Sequence, residues 1–133
     1  MNVAIVGERE REWSEEDRVR VEEIIVELFN EHSLRLVVVS VGCDQGVGKH
    51  TMDFCQQKSV KFAECRIKFQ GTDFPRQFFG QIFKARNLSL LNVCDLFYVF
   101  LGPNPRGLVQ EIVEPAKERV GPNRVHVYPY MGR

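Results

Sequence analysis

The segment Gly42-Cys43-Asp44-Gln45-Gly46-Val47-Gly48-Lys49-His50-Thr51 follows an apolar run and invites comparison with a nucleoside-triphosphate P-loop. A P-loop needs Gly, four residues, then Gly-Lys-Ser/Thr, so that its amides wrap the phosphates and its hydroxyl meets the metal. Here Gly42 stands one position too early and His50 separates Lys49 from Thr51, so that reading is set aside. A weaker physical claim survives. A strand, a glycine turn and a helix start expose backbone amides at a positive helix end, which suits phosphate. A tight turn with no ligand fits the same residues equally well.

Other residue types draw attention for different reasons. Glu111 follows Gly107 by four positions, at the start of a helical pattern. An acid there is favourably placed against the helix dipole, or it is aimed into a cleft between loops. Arg86-Asn87 sits on the preceding helical stretch, where such a pair is ordinarily a solvated face. Asp95 opens an apolar run and is read as a turn residue, with an arginine partner as the alternative. His32, His50 and His126 have no metal-ligand spacing, so no metal site is expected, and no other cofactor is implied. No serine occupies a nucleophile elbow. Trp13, beside Arg9 and Arg11, reads as a hydrophobic staple on the following helix, with a surface or ligand-stacking residue as the alternative. Cys43, Cys55, Cys65 and Cys94 form no C-x-x-C pair and read as reduced thiols.

These residues need elements to position them. Val3 to Val6 is a short continuous apolar run ending at Gly7, as in a strand buried on both faces. Ser14 and Asp17 resemble a capping box, and Val21, Ile24, Ile25, Leu28 and Phe29 then mark one helical face. Leu34 to Val41 reads as a second buried strand, and His50 to Gln57 as a second helix. Val60 to Phe69 alternates as a third strand nearer an edge, Gln77 to Val93 is helical, and Asp95 to Leu101 is the most apolar strand. Leu108 to Val120 is a helix that Pro115 should kink, and Arg124 to Tyr128 is the last strand. This alternation predicts an α/β fold: one three-layer Rossmann-like domain over 1–133, with five mainly parallel strands in the order 3-2-1-4-5. Ligands of such sheets bind outside the carboxyl ends of the strands. The loops Gly7 to Arg9, Gly42 to Lys49 and Gly102 to Gly107 therefore share one edge.

The whole-chain numbers exclude several classes. The 133 residues carry 18 basic and 18 acidic side chains, and zero net charge argues against an electrostatic nucleic-acid binder. No apolar stretch approaches the roughly 20 residues of a membrane span, and the start reads as a strand rather than a signal peptide. A cytoplasmic protein is expected. The sequence is compatible with a homo-oligomer such as a homodimer and does not set the number of chains.

Taken in order, these motifs resemble the SLOG superfamily of Rossmann-like nucleotide-binding proteins, which includes the lonely-guy phosphoribohydrolases and DNA-processing protein A. Gly7-Glu8-Arg9 is similar to the family's Gly-Ser-Arg, and Ser40-Val41-Gly42 through Gly46-Val47-Gly48 to its second glycine loop. Arg86-Asn87 followed by Cys94-Asp95 resembles its Arg-Asn helix leading to an aspartate-started strand. Pro103-Asn104-Pro105-Arg106-Gly107-Leu108-Val109-Gln110-Glu111 keeps the proline, one glycine and the glutamate of Pro-Gly-Gly-x-Gly-Thr-x-x-Glu, with Asn104, Pro105 and Leu108 as departures. The resemblance implies a small-molecule nucleotide ligand bound by Gly7, Arg9, Gly42, Gly46, Gly48, Asn87, Arg106 and Gly107, with the Arg106 guanidinium in place of lost backbone amides. If hydrolase chemistry is retained, it implies N-glycosidic cleavage of a nucleoside monophosphate, or a deoxyribosyltransferase-like reaction. Glu111 would then activate water or stabilise the ribosyl centre, and Arg86 would hold phosphate or ribose. A scaffold for protein contacts without a ligand is the third reading.

Overall fold

The computed structural model describes residues 1–8, 11–41, 46–65, 79–103 and 106–130, with backbone alone for 65, 79–84 and 106. Its centre is a five-stranded sheet in the order β3-β2-β1-β4-β5, and every pairing is parallel. The strands are β1 (Asn2–Gly7), β2 (Val37–Val41), β3 (Lys61–Cys65), β4 (Leu96–Phe100) and β5 (Val125–Tyr128). The continuous apolar runs explain the central position of β1 and β4, whose residues Val3 to Val6, Phe97, Val99 and Phe100 are all buried.

The helices between them are α1 (Glu15–His32), α2 (Val47–Gln57) and α3 (Phe79–Val93), and 106–120 is helical before β5. Alternate side chains of each strand go to opposite faces. Val3, Ile5, Val38 and Phe100 meet α1 and α2 through Val21, Ile25, Leu28 and Phe54. Ala4, Val6, Val39, Phe97 and Val99 meet α3 and the last helical stretch through Leu90, Leu91, Ile112 and Ala116. The sheet is therefore the middle of three layers. Among the described residues no helix is long and apolar enough to cross a membrane.

Local chemistry sets the element boundaries. Ser14 caps α1 by accepting the Asp17 amide at 3.1 Å, a contribution of about 1 kcal/mol. Asp17 does not complete the predicted box; its carboxylate takes Arg11 instead. The fourth residue of α1 is Arg18, so Trp13 finds no staple there. It packs against the rings of His50 and Phe100, at 5.7 and 6.4 Å between centroids. The second strand starts later than expected, because Ser33–Arg35 forms a 3-10 turn that leaves Leu34 73% exposed. Helix α2 starts earlier, so Gly48 and Lys49 lie inside its first turn rather than in a loop. Asp95 is the turn residue expected, exchanging bonds with Asn2: its amide reaches the Asn2 carbonyl at 2.8 Å, and its carboxylate accepts the Asn2 amide at 3.3 Å.

Pro115 does not break the final helix. The chain runs from α4 (Arg106–Leu108) through a π-helical turn (Val109–Val113) into α5 (Glu114–Val120). Proline has no N–H for the carbonyl four residues back, which is that of Glu111, and its ring crowds that carbonyl. One residue earlier the register has already widened, since the Glu114 amide bonds to the Val109 carbonyl, five residues back. Pro115 thus follows a change of hydrogen-bond register, centred on Glu111.

Candidate functional site

In a doubly wound sheet the ligand crevice lies at the carboxyl ends of the strands, where the helices switch faces. Here that point is between β1 and β4, because α1 and α2 cover one face and α3 and α5 the other. Gly7 ends β1 there. A Cβ on Gly7 would sit 2.4 Å from Val47 Cγ2 and 2.8 Å from Val47 Cβ. The absence of a side chain thus serves the docking of α2 onto β1. Gly46 is the N-cap of α2 with φ of 80°, a conformation that side chains rarely adopt. Gly48 is buried one residue further into that helix than the start of the turn.

Across the crevice, Glu8 extends β1 by donating its amide to the Phe100 carbonyl at 2.9 Å. Its carboxylate accepts the Gly102 amide at 2.7 Å, and a Cβ on Gly102 would lie 2.8 Å from the same oxygen. A carboxylate of the chain itself therefore fills this end of the switch point. Arg9 and Gly42 lie outside the described residues.

The second group of expected residues lies on the other side of the sheet. Asn87, 3% exposed on α3, donates Nδ2 to Glu111 Oε2 at 2.7 Å. Arg86 donates Nη2 to Asn87 Oδ1 at 3.3 Å. The Asn87 amide therefore relays between a guanidinium and a carboxylate, and the two bonds orient it: oxygen toward Arg86, nitrogen toward Glu111. Both helices that contribute start at the carboxyl edge, one after β3 and one after β4. The π turn matters because it sets the direction of Glu111, and such turns are frequent at functional sites. Gly107 is exposed in α4, and among the described residues no atom lies within 4 Å of where a Cβ would be. The backbone of Arg106 opens α4, and its side chain is outside the described set.

The structure thus joins Arg86, Asn87 and Glu111 into one cluster. It places Gly7, Gly46 and Gly48 together beside α2, on the opposite helical layer. Sequence reasoning missed Arg11. Its guanidinium forks onto Asp17 at 2.9 and 2.8 Å and donates to the carbonyls of Leu101 and Tyr128 at 2.7 and 2.9 Å. It ties the β1–α1 loop to the ends of β4 and β5. No local pattern signals this, because the carbonyls come from residues 90 and 117 positions away.

Burial pushes the Cys55 thiol from 9.0 up to about 12, which makes it inert rather than nucleophilic. Native protein at pH 8 is expected to leave Cys55 unmodified by a thiol-reactive disulfide reagent, with mass spectrometry of the peptides as the check. The linkage has a definite sign. The folded thiol has the higher pKa, so its contribution to stability is intact below about pH 9 and is lost as pH rises toward 12. A denaturation midpoint that climbs over that interval would contradict it.

Comparison of the chain with protein-family models, with curated proteins and with solved structures finds no match.

Proposed function

We propose that this chain binds a nucleotide or a nucleotide-derived phosphorylated ligand at the carboxyl edge of its sheet, in a sensing or ligand-binding role. The observation that carries the reading is the Arg86–Asn87–Glu111 relay. A buried asparagine holds a carboxylate in one orientation, with a guanidinium alongside, on two helices that leave from that edge. The all-parallel sheet in the order 3-2-1-4-5 supports it, since ligands of such sheets bind at this edge. The motif resemblance to SLOG proteins names the ligand class. Arg86 supplies the donors for phosphate or a ribose oxygen.

A second reading, nucleotide N-glycosidic hydrolysis, draws on the held carboxylate of Glu111. Water would add to the anomeric carbon as the carbon–nitrogen bond breaks; Glu111 takes the water proton and passes it to the departing base nitrogen, which returns Glu111 to its carboxylate form. The experiment is a thermal-shift screen of nucleoside mono-, di-, tri- and cyclic phosphates, followed by chromatography of each binder after incubation. A ligand at ~100 times Kd adds about 2.7 kcal/mol to the native state. Arg86→Ala is expected to weaken that binding more than tenfold. Glu111→Gln retains binding and, if cleavage occurs in the wild type, abolishes it. Tight binding without release of base or ribose phosphate establishes the sensing role over the hydrolase. No shift across the panel leaves the scaffold reading.

A further inference from the structure

A pocket of about 370 Å3 lies on the α1 side of the sheet, at the ends of β4 and β5, and no member of the Arg86–Asn87–Glu111 relay lines it. Its size is that of a small-molecule site. Its floor is aromatic: Phe100 and Tyr128, neighbours in the β4–β5 register, stack with ring centroids 4.6 Å apart and planes 19° apart. Arg11 makes one wall. Four of its five donors are held by Asp17 and by the Leu101 and Tyr128 carbonyls, so it shapes the pocket and does not address a ligand.

The mouth is different. Arg20, Glu12 and Glu16 line it and are exposed, and among the described residues none of them forms an ion pair. The Arg20 guanidinium carbon lies 5.4 Å above the Tyr128 ring, which keeps the fork over the aromatic floor. Glu16 and Arg20 are four residues apart on α1, hence neighbours roughly 5–6 Å apart between Cβ atoms. An isolated anion would meet Glu12 and Glu16 here, and an isolated cation would meet Arg20. A flat ring with acceptors on one edge and N–H donors on the next satisfies both. A guanine-type base is such a ring: O6 and N7 accept from a guanidinium, and N1–H with the 2-amino group donates to a carboxylate.

We propose that this pocket is a subsite for a guanine-type nucleobase, with Arg20 on the O6/N7 edge and Glu16 on the N1–H/2-amino edge. The choice of a nucleobase over another flat lactam rests on the nucleotide reading above; the choice of guanine over adenine rests on the pocket alone. Adenine carries a donor at the position where Arg20 needs an acceptor.

Trp13 is the one tryptophan of the chain and its ring centroid lies 6.4 Å from that of Phe100, so its emission reports on the pocket floor. Guanosine, which has no phosphate, is the probe. Saturable change of Trp13 emission is expected with guanosine, a several-fold weaker response with inosine, and at least tenfold weaker binding of adenosine. Arg20→Ala and Glu16→Gln should each weaken guanosine at least tenfold with little change in melting temperature, both residues being exposed. Equal binding of adenosine and guanosine, or guanosine binding indifferent to both pocket substitutions, overturns the assignment. If guanosine fails but a nucleotide shift persists and depends on Arg86, the pocket assignment falls and the nucleotide reading stands. If neither guanosine nor any nucleotide binds, both fall.

Discussion

Arg11→Ala is expected to cost about 3–5 kcal/mol, because it strands a buried carboxylate. Asp17 is 7% exposed, and the ion-pair side chains are 9% and 10% exposed. With Arg11 gone, Asp17 keeps its desolvation and loses both charged donors, and the carbonyls of Leu101 and Tyr128 lose theirs. The guanidinium also lies 5.2 Å over the buried Phe100 ring, so packing is lost along with charge. For a domain of this length the melting temperature should fall by about 10–20 °C. Arg11→Lys should recover less than half of the loss, since an ammonium cannot fork onto a carboxylate and reach two carbonyls from the other side. Arg11→Ala combined with Asp17→Asn should be more stable than Arg11→Ala alone, because the stranded charge is gone. A fall of under about 1 kcal/mol in urea unfolding would place this pair among ordinary surface ion pairs and refute the argument.

Gly7→Ala should cost about 2–3 kcal/mol, the upper part of the range for overpacking a well-filled interior. The clash is not one that a rotamer can relieve. Turning Val47 moves its Cγ2, 2.4 Å from the new methyl, but its Cβ at 2.8 Å is fixed to the backbone of α2. Helix α2 has to move off β1. Val47→Ala combined with Gly7→Ala removes the nearer contact and keeps the further one, so a double-mutant cycle should show partial rescue, with coupling of roughly 0.5–3 kcal/mol. The same variant tests what the glycine is for. A glycine kept for close approach of a ligand would lose binding with stability intact. Here stability falls first, and the partner of the effect is Val47. Additive losses at the two positions would count against this account.

Much of the fold was legible because the relevant physics is local. The apolar run Val3 to Val6 marks a strand buried on both sides, and the spacing of Val21, Ile24, Ile25 and Leu28 marks a helix with one buried face; both are as the periodicity predicts. Strands alternating with helices restrict the connections, and the order 3-2-1-4-5 follows from where the apolar runs fall. Two of the misreadings were at boundaries. Leu34 looks like the start of a strand, but it belongs to a turn; Gly48 looks like a loop glycine, but it is helical. Apolarity and glycine content report preference, and the hydrogen bonds of neighbouring segments decide the end of an element.

By itself, then, the sequence determined the layers, a mainly parallel sheet and the edge from which three glycine-bearing loops leave. Periodicity and composition also placed Ser14 as a cap and Pro115 as a disturbance. Only the tertiary structure decided which residues meet. Asn87 and Glu111 are 24 positions apart, and their 2.7 Å bond depends on how α3 packs beside the π turn. Arg11 finds its carbonyl partners 90 and 117 positions away. Whether Gly7 borders an open crevice or a packed helix depends on Val47, whose Cβ and Cγ2 both stand where a side chain at position 7 would go. A local pattern encodes which face of an element is buried; it does not encode what the face is buried against, because that contact is made between segments whose spacing in the chain carries no period.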